Sequence, residues 1–179
     1  MKGVVFNLLN EMVEERFGFE AWESLLEATG SDGVFVATES YPDEELLALV
    51  GAASEATGIA VPDLVRAFGT YMVPRFREHY PKFFEDHTHL RSFLLTVDQV
   101  ILVEVRKLMP DAGLPEFADE DDDDEDDLTM IYRSPRKLCA LAEGLIDGSA
   151  TAFGTEYELV HDVCMHKGAD HCRLEMRFH

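Results

Sequence analysis

The apolar residues of the first 110 positions recur at helical spacing, which predicts a mainly helical N-terminal half. Pro74 is expected to kink or end the helix in which it lies, because proline lacks the N–H that a helix interior needs. The predicted elements here are helices over residues 2–17, 19–28, 43–57 and 62–72, with a brief extended piece over 34–36.

A longer helix is predicted over residues 88–108, and Pro110 stops it. It carries two adjoining apolar stripes, so two of its faces are expected to be buried. The main stripe consists of Leu90, Leu94, Val97, Ile101, Val105 and Leu108, and the second consists of Leu95, Leu102 and Met109.

Beyond Pro110 the pattern changes from helical to strand-like. Ser134 and Pro135 are expected to begin a helix, because proline is tolerated in a first helical turn. The run of helices is thus followed by the order β-β-α-β-β, which predicts an α+β fold with an antiparallel sheet. The predicted segments are 114–118, which leads to a strand over 128–132, the helix to about 153, and β segments near 155–164 and 171–178.

The chain is strongly acidic, with 36 Asp and Glu against 15 Lys and Arg and a formal net charge of −21. This balance argues against nucleic acid and anionic membrane surfaces as partners. Nine consecutive acidic residues occupy positions 119–127. They are predicted to form a solvated hairpin loop rather than a calcium site, because an unshaped carboxylate run lacks the required ligand geometry.

A length of 179 residues suits one domain, and no signal peptide or membrane-spanning stretch is visible. Three cysteines are an odd number, which fits poorly with a secreted disulfide framework. We therefore expect a cytoplasmic protein whose thiols are reduced or bound to metal.

Tyr132, Ser134 and Arg136 stand at alternate positions, and alternate residues of an extended segment point the same way. Two hydroxyls and a guanidinium that converge in this way suit a carboxylate or a phosphate. The same pattern also fits a strand end that is followed by a basic helix start.

The three cysteines all lie in the last 41 residues, with several histidines nearby. His161, Cys164 and Cys172 supply three ligand-type side chains near one predicted hairpin, and Cys139 would complete a tetrahedral zinc set. The spacing matches no standard zinc finger, so it does not by itself distinguish a metal site from three buried thiols.

Four features follow one another along the chain: Met1-Lys2-Gly3 before an apolar helix, Leu114-Pro115 after a long helix, Tyr132-x-Ser134-x-Arg136, and the Cys/His tail. In this combination and order they resemble the features of H-NOX domains. The chain resembles these bacterial haem nitric oxide/oxygen-binding sensors, relatives of the haem domain of soluble guanylate cyclase, from Met1 to about Phe178. The resemblance implies one domain over 1–179, with a helical distal subdomain over 1–60 and a proximal subdomain over 61–179 that holds the sheet and a long helix.

The resemblance also implies roles for the matching residues. Tyr132, Ser134 and Arg136 would hold the haem propionates, and Pro115 would press on the porphyrin and distort it. The zinc site of a family subset, which is associated with cysteine-based redox sensing, is matched by Cys139, His161, Cys164 and Cys172.

Val5, Leu9 and Leu141 resemble distal-pocket contacts. None of them donates a hydrogen bond, so bound haem would favour NO or CO over stable O₂. Core packing explains the same aliphatic residues equally well.

One departure concerns the histidine that holds iron in this family. The matching position on the long helix is Leu102, and leucine cannot ligate iron. Three interpretations follow: haem is held without a protein ligand or by an exogenous one; haem has been lost while the zinc switch remains; or the pocket holds another flat acid such as a metal-free porphyrin.

The sequence therefore predicts a cytoplasmic sensor domain rather than an enzyme, since no Ser-His-Asp set, P-loop or dinucleotide fingerprint is present. The favoured function is a thiol redox switch at a zinc site, and the alternative is an NO sensor with non-standard haem ligation. The resemblance implies a separate signalling partner, such as a histidine kinase, a cyclic-di-GMP enzyme or a chemoreceptor.

Overall fold

The computed structural model describes residues 1–120 and 127–179. Helices fill the first part of the chain, and a sheet with one long helix follows. The helices are α1 (Gly3–Phe17), α2 (Phe19–Thr29), α3 (Asp43–Thr57), α4 (Val61–His79), α5 (Lys82–Glu85), α6 (Leu90–Leu94), α7 (Leu102–Leu108) and α8 (Cys139–Phe153), and the strands are β1 (Glu116–Glu120), β2 (Asp127–Arg133), β3 (Tyr157–Val160) and β4 (Cys172–Phe178). A π-helical turn (Val97–Ile101) precedes α7, and a 3₁₀ turn (Met165–Lys167) precedes β4.

The four strands form one sheet in the order β1-β2-β4-β3, and each neighbouring pair is antiparallel. The predicted α+β class and the β-β-α-β-β order are therefore confirmed. In the register of β2 and β4, Tyr132 lies opposite Cys172. The anion fork predicted from the sequence and the cysteine tail thus meet across one strand pair.

Helix α3 shows why the N-terminal helices form where the sequence predicts them. Asp43, Glu44 and Glu45 occupy its first turn, where acidic side chains complement the helix dipole. Gly58 follows its last turn with a φ of 73°, a left-handed conformation that glycine adopts without steric cost. The predicted bounds of 43–57 agree with the observed helix.

Two hydrophobic clusters fill the interior of the part of the chain that the structure describes. The first is built mainly from α1–α4 and includes the fully buried Phe6 and Leu49. The second is built mainly from α6, β2, α8 and β4, and it includes the fully buried Leu90, Leu174 and Met176. Helix α4 contributes residues to the first cluster and packs along α8 of the second, so it joins the two halves.

The α4–α8 crossing is close because glycines lie in it. A Cβ atom at Gly69 would stand 2.5 Å from the carbonyl oxygen of Leu141, and one at Gly144 would overlap the carbonyl oxygen of Arg66. Only glycine permits the two backbones to come this close. The close approach brings Arg66 of α4 beside α8.

The prediction of a single long helix over 88–108 is wrong, because a π-helical turn separates two shorter helices, α6 and α7. The N–H of Ile101 donates to the carbonyl oxygen of Thr96, five residues earlier, at 3.1 Å. Leu108 is 69% exposed, so the main stripe does not stay buried to its end.

Three other boundaries differ from the prediction. Helix α4 continues through Pro74 to His79. Helix α8 begins at Cys139 rather than at Ser134, because the N–H of Lys137 donates to the carbonyl oxygen of Ser134 and closes a turn. Strand β3 ends at Val160, well short of the predicted residue 164.

The acidic run over 119–127 is not entirely a loop. Asp119 and Glu120 belong to β1 and Asp127 begins β2, while 121–126 lie outside the described residues. The pairing of Asp119 with Met130 and of Glu120 with Thr129 shows that the β1–β2 hairpin extends into the start of the acidic run, whereas Asp127 pairs with Arg177 of β4.

Within the two described ranges, no single helix is long and apolar enough to cross a membrane. Helices α3 and α4 reach the necessary length and apolarity only together, and they are bent by 112°.

Candidate functional site

The three cysteines and His161 come together at one end of the sheet. Their ligand atoms all lie within 4.8 Å of one another. Cys139 is the first residue of α8, Cys172 is the first residue of β4, and His161 and Cys164 lie in the loop between β3 and the 3₁₀ turn. Residues distant in sequence thus form one four-donor cluster, which we call the thiol–imidazole cluster.

The distances between sulfur atoms in the thiol–imidazole cluster fit a metal ion with tetrahedral coordination. The Sγ atom of Cys164 lies 3.9 Å from the Sγ atoms of both Cys139 and Cys172, and all three thiols are free and buried. Zinc–sulfur bonds of about 2.3 Å give a tetrahedral sulfur–sulfur edge of about 3.8 Å. The donor set of three sulfurs and one imidazole is also one that zinc prefers.

His161 is oriented by a carboxylate. Its Nδ1 atom lies 2.5 Å from Oε1 of Glu143, and this hydrogen bond raises the pKa of His161 against the opposing effect of burial. Its Nε2 atom is buried and has no hydrogen-bond partner in the described part of the chain. A buried nitrogen without a partner is costly, and a metal ion would remove that cost.

Burial, together with the two neighbouring thiols, raises the pKa of Cys139 to about 12, and burial also raises the pKa of Cys172. At Cys164 burial acts in the same direction, but hydrogen bonds from the backbone of His166 and from the other thiols bring its pKa below the ordinary value. Three thiolates at this site therefore require a compensating cation.

The backbone also donates to the cluster. The N–H of Met165 lies 3.2 Å from the Sγ atom of Cys172. Such donors stabilise a thiolate over a thiol, because they favour the charged form. The 3₁₀ turn that begins at Met165 therefore positions a donor as well as closing the loop.

The three residues of the predicted anion fork lie in two places. Tyr132 and Ser134 are buried side by side, and the Tyr132 hydroxyl oxygen accepts a hydrogen bond of 3.1 Å from the N–H of Leu138. Arg136 lies beyond the strand, in the turn, so the extended geometry assumed for the fork ends at Arg133.

The Arg136 guanidinium is engaged within the protein. Its Nε donates to Asp43 at 2.5 Å and its Nη1 donates to the carbonyl oxygen of Ala112 at 2.9 Å, and Nη1 also contacts the carbonyl oxygen of Gly113. Burial opposes ionisation of Asp43, but its bonds to Arg136 and to the chain's N-terminal amine hold its pKa below the ordinary value. A carboxylate of the protein itself, that of Asp43, thus already binds the guanidinium that the sequence assigned to an anionic ligand.

The remaining residues predicted from the resemblance are apolar. Val5, Leu9 and Leu141 all pack in or against the first hydrophobic cluster. Pro115 is half-buried just before β1. Leu102 is 9% exposed at the start of α7, and it belongs to neither hydrophobic cluster.

Sequence reasoning missed the charged residues beside the cluster. Arg66 donates from Nη1 to Glu143 at 2.9 Å and from Nε to Asp147 at 2.6 Å. The hydroxyl of Tyr157 donates to Asp147 at 2.5 Å, and burial, together with that carboxylate, raises the pKa of the hydroxyl. The available signal was the four-residue spacing of Cys139, Glu143 and Asp147, which places them on one face of α8.

Comparison with known proteins supports the resemblance seen in the sequence. A family model described as Haem-NO-binding matches residues 2–161. An H-NOX protein from S. oneidensis in the Fe(II)NO ligation state is 33% identical, has a TM-score of 0.93, and aligns over 100% of this chain and 99% of its own. No curated protein matches the chain.

Two further structures extend the comparison. The Fe(II) unliganded H-NOX protein from K. algicida is 26% identical, with a TM-score of 0.91 over 100% of this chain and 97% of its own. A histidine-to-glycine mutant of an H-NOX domain from Shewanella oneidensis in the Fe(II)CO ligation state is 33% identical, with a TM-score of 0.88 over 99% of this chain and 98% of its own. The predicted family is therefore confirmed, and the chain belongs to the haem-NO-binding, or H-NOX, family.

Proposed function

We propose that this H-NOX domain is a redox sensor whose switch is a zinc ion held by Cys139, His161, Cys164 and Cys172. The observation that carries the proposal is the convergence of four donor atoms within 4.8 Å. The buried Nε2 of His161 supports it, because that atom has no hydrogen-bond partner in the described ranges and could bind a cation.

Four protein donors would close the coordination sphere of zinc. Zinc that catalyses hydrolysis keeps one position open for water, whereas zinc that only stabilises structure has four protein ligands. The cluster therefore favours a sensor over a metalloenzyme. Its output would be a change in shape of the C-terminal sheet, read by a separate signalling partner such as a histidine kinase, a cyclic-di-GMP enzyme or a chemoreceptor.

The redox step follows from the position of Cys164 between the other two thiols. Hydrogen peroxide would take two electrons from two thiolates, so that a sulfur–sulfur bond forms while the oxygen–oxygen bond breaks and, with two protons, yields two waters. The Sγ atom of Cys164 lies 3.9 Å from those of both Cys139 and Cys172. Cys164 could therefore form the disulfide with Cys139 or with Cys172. The loss of two thiolate donors releases Zn²⁺.

Metal analysis tests this function directly. The protein as isolated should contain one zinc per chain, lose it to hydrogen peroxide and rebind it after reduction with a dithiol. Cys172→Ala should contain less than about a tenth of the wild-type zinc, because a neutral methyl group replaces a thiolate ligand. His171→Ala is the control, because His171 bonds to Asp170 outside the cluster. Zinc-free wild-type protein, or zinc that survives oxidation, would contradict the switch.

Haem fits the chain less well than zinc does. The resemblance places the iron ligand of the family at Leu102, whose side chain offers no electron pair. Arg136, the residue matched to a propionate, already pairs with Asp43. We therefore propose that this domain has no protein ligand for haem iron, and that any haem is held by burial, by the Tyr132–Ser134 hydroxyls and by an exogenous ligand.

The alternative function is an NO sensor with haem held in that way. One observation favours it: the Shewanella oneidensis histidine-to-glycine mutant exists in the Fe(II)CO ligation state, so the loss of a histidine is compatible with an iron complex in a domain 33% identical to this one. Val5, Leu9 and Leu141 carry no donor, so such a site would select NO or CO over O₂.

Haem titration distinguishes the two functions. We expect Leu102→His to bind haem at least about tenfold more tightly than the wild type and to shift the Soret band, because an imidazole supplies the axial bond. Leu108→His is the matched control, since Leu108 lies on the same helix but is 69% exposed. Equal haem binding by the wild type and Leu102→His would show that position 102 does not face the iron.

A further inference from the structure

One face of α8 carries a metal-site residue and two carboxylates in line. Cys139, Glu143 and Asp147 follow one another at four-residue spacing, so they lie on one side of the helix. Glu143 is only 14% exposed at its side chain, whereas Asp147 is 28% exposed. The better buried carboxylate is the one that contacts the thiol–imidazole cluster.

Glu143 uses its two oxygens for two different partners. Oε1 lies 2.5 Å from Nδ1 of His161, and Oε2 accepts from Nη1 of Arg66 at 2.9 Å. In the neutral imidazole, an N–H at Nδ1 that points to a carboxylate leaves Nε2 unprotonated, and this tautomer is the one that binds a metal through Nε2. Nε2 is the buried atom that has no hydrogen-bond partner among the described residues.

Arg66 holds Glu143 from the other side of the α4–α8 crossing. Its Nε and Nη2 atoms form a two-point contact with Asp147, at 2.6 and 3.1 Å, and Nη1 remains for Glu143. A guanidinium fixed at two points has little freedom to rotate, so it fixes the Glu143 carboxylate in turn. The chain His161–Glu143–Arg66 thus joins the cluster to α4.

We propose that Glu143 is a positioning residue of the metal centre: it selects the tautomer of His161, aims Nε2 at the three sulfurs and ties the centre to α4 through Arg66. This inference rests on the proposed zinc site. Carboxylates that orient a metal-bound histidine in this way raise its basicity, and their loss weakens metal binding by roughly 10- to 100-fold.

The test is zinc affinity, measured by competition with a chromophoric chelator, in wild type, Glu143→Gln and Asp147→Asn. Glu143→Gln keeps the shape but removes the charge, and we expect its zinc Kd to rise roughly 10- to 100-fold. Asp147→Asn weakens the same Arg66 anchor without contact to His161, and its Kd should stay within about threefold of wild type. The melting temperatures of the zinc-free variants verify that each one is folded.

A double-mutant cycle separates positioning from mere structure. In a His161→Ala background, Glu143→Gln should change the zinc Kd by less than about twofold, because a residue that acts through His161 loses its effect when that histidine is absent. A persisting effect, or an equal loss in Asp147→Asn, would overturn the inference and indicate general weakening of the α4–α8 crossing. Wild-type protein that binds no zinc would instead overturn the zinc site itself.

Discussion

Gly144→Ala should lower the melting temperature by roughly 4–8 °C, because the α4–α8 crossing has no room for a methyl group there. The added Cβ would overlap the carbonyl oxygen of Arg66 and stand 3.0 Å from its Cα, and backbone atoms cannot rotate away. Overpacking of this kind costs up to about 3 kcal/mol. The better helix propensity of alanine returns about 1 kcal/mol, which leaves a net loss of about 2 kcal/mol.

Gly51→Ala is the control with the opposite sign. Gly51 lies inside α3, and a Cβ there would meet nothing within 4 Å. Only the gain in helix propensity remains, so we expect a stabilisation of about 1 kcal/mol, or a melting temperature higher by about 2–4 °C. Thermal unfolding followed by circular dichroism compares the two variants. A Gly144→Ala protein as stable as wild type would mean that α4 and α8 separate without cost.

The effect of Gly144 also reaches the thiol–imidazole cluster, because the crowded backbone atom belongs to Arg66. Arg66 is the residue that holds Glu143 and Asp147. A wider crossing would move the guanidinium away from both carboxylates. The packing of two helices and the orientation of a candidate zinc ligand therefore depend on the same short stretch of α4.

Patterns that depend on local chemistry predicted the fold well. Helix α3 was predicted with its observed bounds, because its apolar residues recur at helical spacing and a glycine follows its last turn. The four-strand antiparallel sheet followed from alternating segments that flank one helix. These signals lie within a few residues of the features that they predict.

Predictions failed where the outcome depended on hydrogen-bond register or tertiary contact. The apolar stripes of 88–108 are compatible with a continuous helix, and they do not reveal that Ile101 bonds five residues back. The turn before α8 depends on Lys137 with a φ of 51°, a conformation that sequence gives no reason to expect at lysine. In both places a local backbone hydrogen bond or dihedral angle, and not the hydrophobic pattern, sets the boundary.

The candidate site divides in the same way. Counting cysteines and their histidine neighbours indicated the four members of the cluster, since metal ligands need particular atoms. No comparable sequence signal identifies Glu143 and Arg66, because glutamate and arginine are common on helix surfaces. Their role became visible only when the fold placed Arg66 of α4, 77 residues away in sequence from Glu143, against α8.

At the proposed zinc site, removal of the ion should have the largest effect on stability of any change considered for this protein. The four donors come from the start of α8, the loop after β3 and the start of β4, so the ion would fasten that helix to one end of the sheet. Without it, three buried thiols face an imidazole nitrogen that has no hydrogen-bond partner among the described residues. A ligand at 1,000 times its Kd stabilises the folded state by about 4 kcal/mol. We therefore expect the zinc-loaded protein to melt roughly 8–16 °C above the zinc-free protein.

Scanning calorimetry of loaded and chelator-treated protein measures this difference, and two variants assign it to the cluster. Cys172 is fully buried and belongs to the candidate ligand set, so Cys172→Ala should melt at the same temperature with and without added zinc. His171→Ala should keep the full difference, because the neighbouring histidine bonds to Asp170 and lies outside the ligand set. If Cys172→Ala still gained stability from zinc, the ion would be bound elsewhere on this acidic surface. The buried cluster would then be three reduced thiols packed around a histidine, without a metal to switch.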